Sequence, residues 1–216
     1  MMFDHYILTR FNLGLYDKHP DPEAWMEERI ALFERYTFPS MMRQTCMDWT
    51  WVIAFDELTP PEVIVKYDYV DNITIISDRP ATWLRQNVDG DKWLITTRLD
   101  NDDYVERDWI GNIQGAFVED VLVVDTRGRA LDTQTGIYYD PMRNFPNSMF
   151  LSLIEHGRDC RTCYLVDHTD MIARFPSRKL DAYGWTMVCH GNNLMNSILP
   201  KYTKLPNHLQ IQYANE

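Results

Sequence analysis

Four short runs rich in β-branched and aromatic residues, YILT at 6–9, WTWVIAF at 49–55, NITIIS at 72–77 and KWLITTRL at 92–99, each stop at charged residues. Runs of this length and content read as buried strands. Helical signals fill the gaps between them. Asp21 before Pro22 is a helix start, and Trp25, Ile30, Phe33 and Tyr36 recur at roughly helical spacing until Pro39. Shorter helical pieces are expected over 40–47, 59–67 and 82–88. Val105, Trp109, Ile113 and Phe117 lie four apart and form one apolar stripe, and VLVVD at 121–125 is a fifth strand. Alternating strand and helix predict an α/β fold whose doubly wound, mostly parallel central sheet is flanked by helices.

Ligands of such sheets sit beyond the carboxyl ends of the strands. Thr9, Arg10, Asp56, Asp78, Arg79 and the acids at 100–103 all fall just past strand ends, so they are expected to line one crevice. After Asp125 the periodicity weakens. RGRALDTQTGIYYD suggests a turn with a strand or hairpin. NSMFLSLIEHG reads as a helix capped by Asn147 and stopped by Gly157. CYLVDH and WTMVCHGNN read as short strands ending in histidine. Residues 1–200 are expected to form one domain, with an irregular tail or linker over 201–216.

The stretch RLDNDD places Asp100, Asp102 and Asp103 within four positions. Turn chemistry needs one such residue. Side chains two apart on an extended segment point the same way, so Asp100 and Asp102 are expected to share a face, with Asp103 turning towards a helix cap. Neighbouring carboxylates repel unless a cation lies between them, and hard oxygen ligands of this kind suit magnesium or manganese. The competing reading is a solvated turn.

A net charge of −11 with no basic stripe excludes a nucleic-acid binder and means that an anionic ligand needs local help from arginines or a divalent ion. The start MMFDHYILTRFN has an acid at Asp4 and none of the features of a secretory signal, and no stretch approaches a membrane span. A soluble, cytoplasmic protein with reduced cysteines is expected. Cys160 and Cys163 form a lone C-R-T-C between His156 and His168, compatible with zinc but without the second ligand pair that structural zinc sites show.

RLDNDD closing a strand, the preceding QTCMDWTWVIAFDE and the early strand ending in TRFN resemble the GT-A (nucleotide-diphospho-sugar transferase) glycosyltransferases, in particular their rhamnosyltransferase group. NSMFLSLIE and VCHGNN are similar to that group's C-terminal half, so the resemblance covers nearly the whole chain. It extends to N-terminal glycosyltransferase domains of large multidomain viral proteins, which implies further domains C-terminal to this one and a place in the host cytoplasm.

The resemblance implies a metal-dependent hexosyl- or rhamnosyltransferase that moves a sugar from a nucleoside-diphosphate donor, a UDP-sugar, to a glycan or other hydroxyl acceptor, with Mn2+ or Mg2+ as cofactor. Asp100-Asn101-Asp102 matches the DXD motif, in which the first acid reaches the donor ribose or a metal-bound water and the last binds the ion. Thr9, Arg10 and Asp56 match positions lining base and ribose, joined by Asp78 or Arg79. His190 resembles a late histidine that completes the metal or diphosphate site. Inversion at the anomeric carbon would need a carboxylate to take the acceptor's proton. Glu155 is the candidate, with Asp167 and Asp170 behind it, although the Glu-Asp pair of many inverting members has no clean match. Arg85 and Arg98 are further candidates for phosphate contacts. From the acids alone, a magnesium-dependent phosphohydrolase or nucleotidyltransferase and a non-catalytic nucleotide-sugar binding module stay open as alternatives.

Overall fold

The fold was established from a computed structural model, which describes residues 2–141, 148–191 and 197–214. The first half alternates as the sequence predicts. It runs β1 (Phe3–Arg10), α1 (Leu15–Lys18), α2 (Pro22–Leu32), a π-helical turn (Phe33–Thr37), α3 (Phe38–Met42), β2 (Thr50–Ala54), α4 (Pro61–Ile64), β3 (Ile73–Ile76), α5 (Pro80–Asn87) and β4 (Trp93–Arg98). Asp21 caps α2 by accepting a hydrogen bond from the Ala24 N–H, and Pro22 occupies the first helical turn.

The second half is strand-rich: β5 (Tyr104–Val105), α6 (Trp109–Gln114), β6 (Leu122–Asp132), β7 (Ile137–Asp140), β8 (Ser152–His156), α7 (His168–Arg174), β9 (Ser177–Cys189), β10 (Thr203–Lys204) and α8 (Asn207–Ala214). All strands join one sheet in the order β10-β7-β6-β8-β4-β1-β2-β3, with β9 alongside β6 and β5 on β9. Pairing is parallel through β3, β2, β1 and β4, and antiparallel where β8 enters between β4 and β6. The sheet is thus mixed, and doubly wound only in its first half. It shifts register where β6 and β9 pair around Arg127 and Gly128. There the Trp185 ring lies over Gly128 so closely that a Cβ would stand 2.1 Å from Cε2, leaving room for glycine alone.

The helix expected over 147–157 is a strand. Ser152 to Glu155 are all buried in β8, a strand inside the sheet with both faces covered, so a period of two does not appear. Asn147, the expected cap, lies outside the described residues. Residues 163–167, expected as a strand, form turns leading into α7. Residues 203–204, in the expected tail, pair with β7, and Leu205 is buried.

Apolar side chains fill both faces of the sheet. Ile7, Trp51, Ile53 and Ile95 pack on one face with Met26 of α2 and Phe33, while Leu8, Val52 and Leu94 pack on the other with Leu84 of α5 and Met171 of α7. Successive strand residues therefore alternate between two cores.

Candidate active site

Because β1 to β4 are parallel, the segments after Arg10, Ala54, Ile76 and Arg98 leave the sheet along one edge. Asparagines tie these segments together. Asn12 Oδ1 accepts from the Asp56 N–H at 2.8 Å, and Asn12 Nδ2 donates to Thr59 Oγ1 at 2.9 Å. Asn101 Nδ2 donates to the Phe11 carbonyl at 2.8 Å. Asp56 in turn accepts from Gly14 N–H at 2.7 Å and Leu58 N–H at 3.0 Å. The rim of the crevice is thus held by its own polar groups.

The residues matched to a nucleotide site divide into two sets. Thr9 is fully buried, donating to the Leu99 carbonyl at 2.8 Å and accepting from Trp51 Nε1 at 2.9 Å, so its role is to fix β1 beneath the crevice. Arg10 is exposed, with its guanidinium 4.5 Å from the Tyr164 ring centre. Asp78 and Arg79 are exposed beyond β3.

The three acids after β4 meet three different environments. Arg98 holds Asp100 with two hydrogen bonds of 3.1 Å and lies 5.6 Å from the Tyr164 ring. Asp102 is paired with Arg29 of α2, and its Oδ2 lies 3.3 Å from His190 Nε2. Glu28 Oε1 stands 3.4 Å from the other ring nitrogen of His190. Asp103 is fully buried; Oδ1 accepts from the Val188 N–H at 2.8 Å and Oδ2 has no hydrogen-bond partner. Burial, and then the charges of Asp102 and Asp100, push its carboxyl well above the ordinary aspartate range.

The expectation that Asp100 and Asp102 share a face is corrected by a turn at Asn101–Asp102. Tyr164 packs with the core that contains Leu8, and α2 packs on the core that contains Ile7, so the partners of the two acids approach from opposite faces. Asp103 is no helix cap: it leads into β5 and clasps β9.

Glu155 is removed from the crevice. It pairs with Leu94 near the start of β4, at the opposite edge of the sheet from Asp100. Its oxygens are taken by Arg161 Nε at 3.0 Å and the Thr162 N–H at 2.7 Å, and it is fully buried. Asp167 caps α7, accepting from the Thr169 N–H and hydroxyl, both at 3.1 Å. Those bonds hold its carboxyl below the usual range, which weakens it as a base. Glu155 is therefore not placed to take an acceptor's proton. Burial raises the Cys160 and Cys163 thiols to about 11 and about 12, and no group of three potential ligands for a metal forms around them or elsewhere among the described residues.

Two participants escaped the sequence reading, Arg29 and Glu28. Both sit on α2 in a run of mixed charge, EERI, a pattern that reads as a solvated face. His190 was found through family likeness, and its neighbours Asn192 and Asn193 lie outside the described residues.

A family model described as "Putative rhamnosyl transferase" matches residues 19–202, which include α2, the acids after β4 and His190. The chain belongs to this rhamnosyl transferase family. Its fold is GT-A-like. The crystal structure of S. aureus TarS 1-349 in complex with UDP is similar in fold, with a TM-score of 0.51 at 13% identity, covering 88% of this chain and 61% of that one. A longer S. aureus TarS structure aligns at a TM-score of 0.49 and 11% identity, covering 88% of this chain and 37% of the other. This rhamnosyl transferase chain therefore spans less than two thirds of those structures. No curated protein matches it. Among the described residues no helix is long and apolar enough to cross a membrane.

Proposed function

We propose that the chain transfers a sugar from a nucleoside-diphosphate sugar, with uridine as the base, to a hydroxyl of a glycan acceptor, using Mn2+ or Mg2+ held at Asp102 and His190. The observation that carries this reading is the meeting of Asp102, His190 and Arg29 just past the end of β4. The TarS structure with bound UDP supports a uridine nucleotide.

The donor set fits a hard divalent ion. Magnesium and manganese take one or two carboxylates, keep water, and complete their shell with substrate phosphates, so a ready-made cage of three protein ligands is not required. When bound, such an ion supplies Lewis-acid stabilisation of the departing diphosphate, worth several kcal/mol.

The chain's own residues do the rest by orientation. Arg98 fixes Asp100 as an acceptor for a ribose hydroxyl, while the exposed guanidinium of Arg10, steadied on Tyr164, is available to a phosphate. Asn12 and Asn101 keep the loops from moving apart and so preserve this spacing.

A panel of nucleotide sugars with and without manganese, read by thermal shift, tests the proposal. A donor present at 100 times its dissociation constant stabilises the protein by about 2.7 kcal/mol. A shift for uridine nucleotides that needs manganese is the expected result; an equal shift without metal, or none, contradicts it.

A further inference from the structure

Arg29 occupies the position at Asp102 that a bound cation would take. It reaches across 73 residues of sequence from α2, pairs with Asp102 Oδ2 and lies 3.5 Å from Asn101 Oδ1. Both members of the pair are shielded, each with a side chain 9% exposed. A second foothold holds the guanidinium from below: the ring of Trp25, one helical turn earlier, lies 4.9 Å away. Trp25 does not depend on Asp102 for its place, so the arginine head can pivot off the carboxylate and keep its aromatic support.

The surroundings decide when that pivot is allowed. Asp103, with its unpartnered buried oxygen, follows Asp102 directly, and Glu28 faces the same histidine. Withdrawal of Arg29 with nothing in its place leaves Asp102 a shielded carboxylate without its counter-charge, which is strongly unfavourable. Withdrawal becomes favourable only when another cation arrives. A guanidinium displaced by an ion that binds a diphosphate finds a bidentate partner in that same diphosphate.

We propose that Arg29 is an exchangeable counter-ion: it neutralises Asp102 in the ligand-free protein, competes with the divalent ion for that carboxylate, and moves onto the donor's phosphates once the ion is bound. This rests on the assignment of Asp102 as a ligand of the ion. Metal and donor then bind with positive coupling, because each relieves a cost the other would meet alone. The empty site is also protected from binding an ion with no substrate to use it on.

The test is titration of Mn2+ alone, followed by calorimetry, into the wild-type chain, Arg29→Gln and Asp102→Asn. Removing a competing cation should tighten Mn2+ binding by about tenfold in Arg29→Gln, within the usual range of coupling between sites. The same variant, saturated with Mn2+, should bind UDP more weakly than wild type. Arg29→Lys, which keeps the charge without the fork, should stay near wild type for Mn2+ and lose UDP affinity, and it serves if the glutamine variant does not fold. Unchanged or weaker Mn2+ binding in Arg29→Gln, with Asp102→Asn still losing the ion, overturns the role of Arg29 alone. Equal Mn2+ binding by Asp102→Asn and wild type overturns the assignment of Asp102, and the exchange falls with it.

Discussion

Nε2 of His190 lies 3.3 Å from Oδ2 of Asp102, joining the end of β9 to the turn after β4 across 88 residues of sequence. The contact depends on a neighbour. Asp103 accepts a hydrogen bond from Val188, two residues before His190, so the acid that follows Asp102 also sets where the histidine lands.

His190→Ala should therefore weaken Mn2+-supported UDP binding by about 10- to 100-fold, the usual range for losing a group that holds or orients a metal ligand. Calorimetric titration of UDP at saturating Mn2+ measures it. Circular dichroism should remain that of the wild type, and unchanged affinity would take His190 out of the site.

Glu155→Gln should reduce stability and spare turnover. The amide would set its NH2 group against either Arg161 or the Thr162 N–H, with a cost of roughly 1–3 kcal/mol for the disrupted hydrogen bonds. Thr162 already sits at φ 69°, a strained conformation for a β-branched residue, so the turn has little tolerance for losing its anchor. Urea unfolding and initial rates per folded molecule separate the two effects. A loss of rate at full stability would return Glu155 to the chemistry.

The buried His5 gives an acid-side signature. Burial lowers its pKa from 6.5 to about 3, and its ring bonds Thr97, which bonds Ser152, stitching β1, β4 and β8 together. A histidine with a depressed folded pKa binds fewer protons folded than unfolded between those two values. Its share of stability is whole above pH 6.5 and is lost as pH falls towards 3, at up to about 1.4 kcal/mol per pH unit. His5→Gln should flatten this slope in urea unfolding between pH 4 and 7. Identical slopes in the two proteins would contradict it.

What was readable in the sequence, and what was not, follows from how local each signal is. β1 to β4 and their polar ends are legible because each is a contiguous run closed by polar residues, and parallel order then fixes which residues share an edge. β8 is not legible in the pattern because Phe150, Leu151, Leu153 and Ile154 satisfy a helical spacing as well as a strand buried on both faces, and Gly157 resembles a helix stop. Glu155 is a candidate base by residue type alone, whereas antiparallel entry of β8 carries it to the far edge beside Leu94. Arg29 left no trace in local pattern, since a charged residue on an amphipathic helix looks the same whether it meets water or an aspartate 73 residues away.

The proposed activity requires Asp102 to carry the cation that receives a nucleoside diphosphate. Calorimetric titration of UDP into wild type and Asp102→Asn, each with and without Mn2+, measures this most directly. Mn2+ should strengthen UDP binding in wild type, and Asp102→Asn, folded as judged by circular dichroism, should lose that enhancement. Equal enhancement by Mn2+ in both proteins would contradict it.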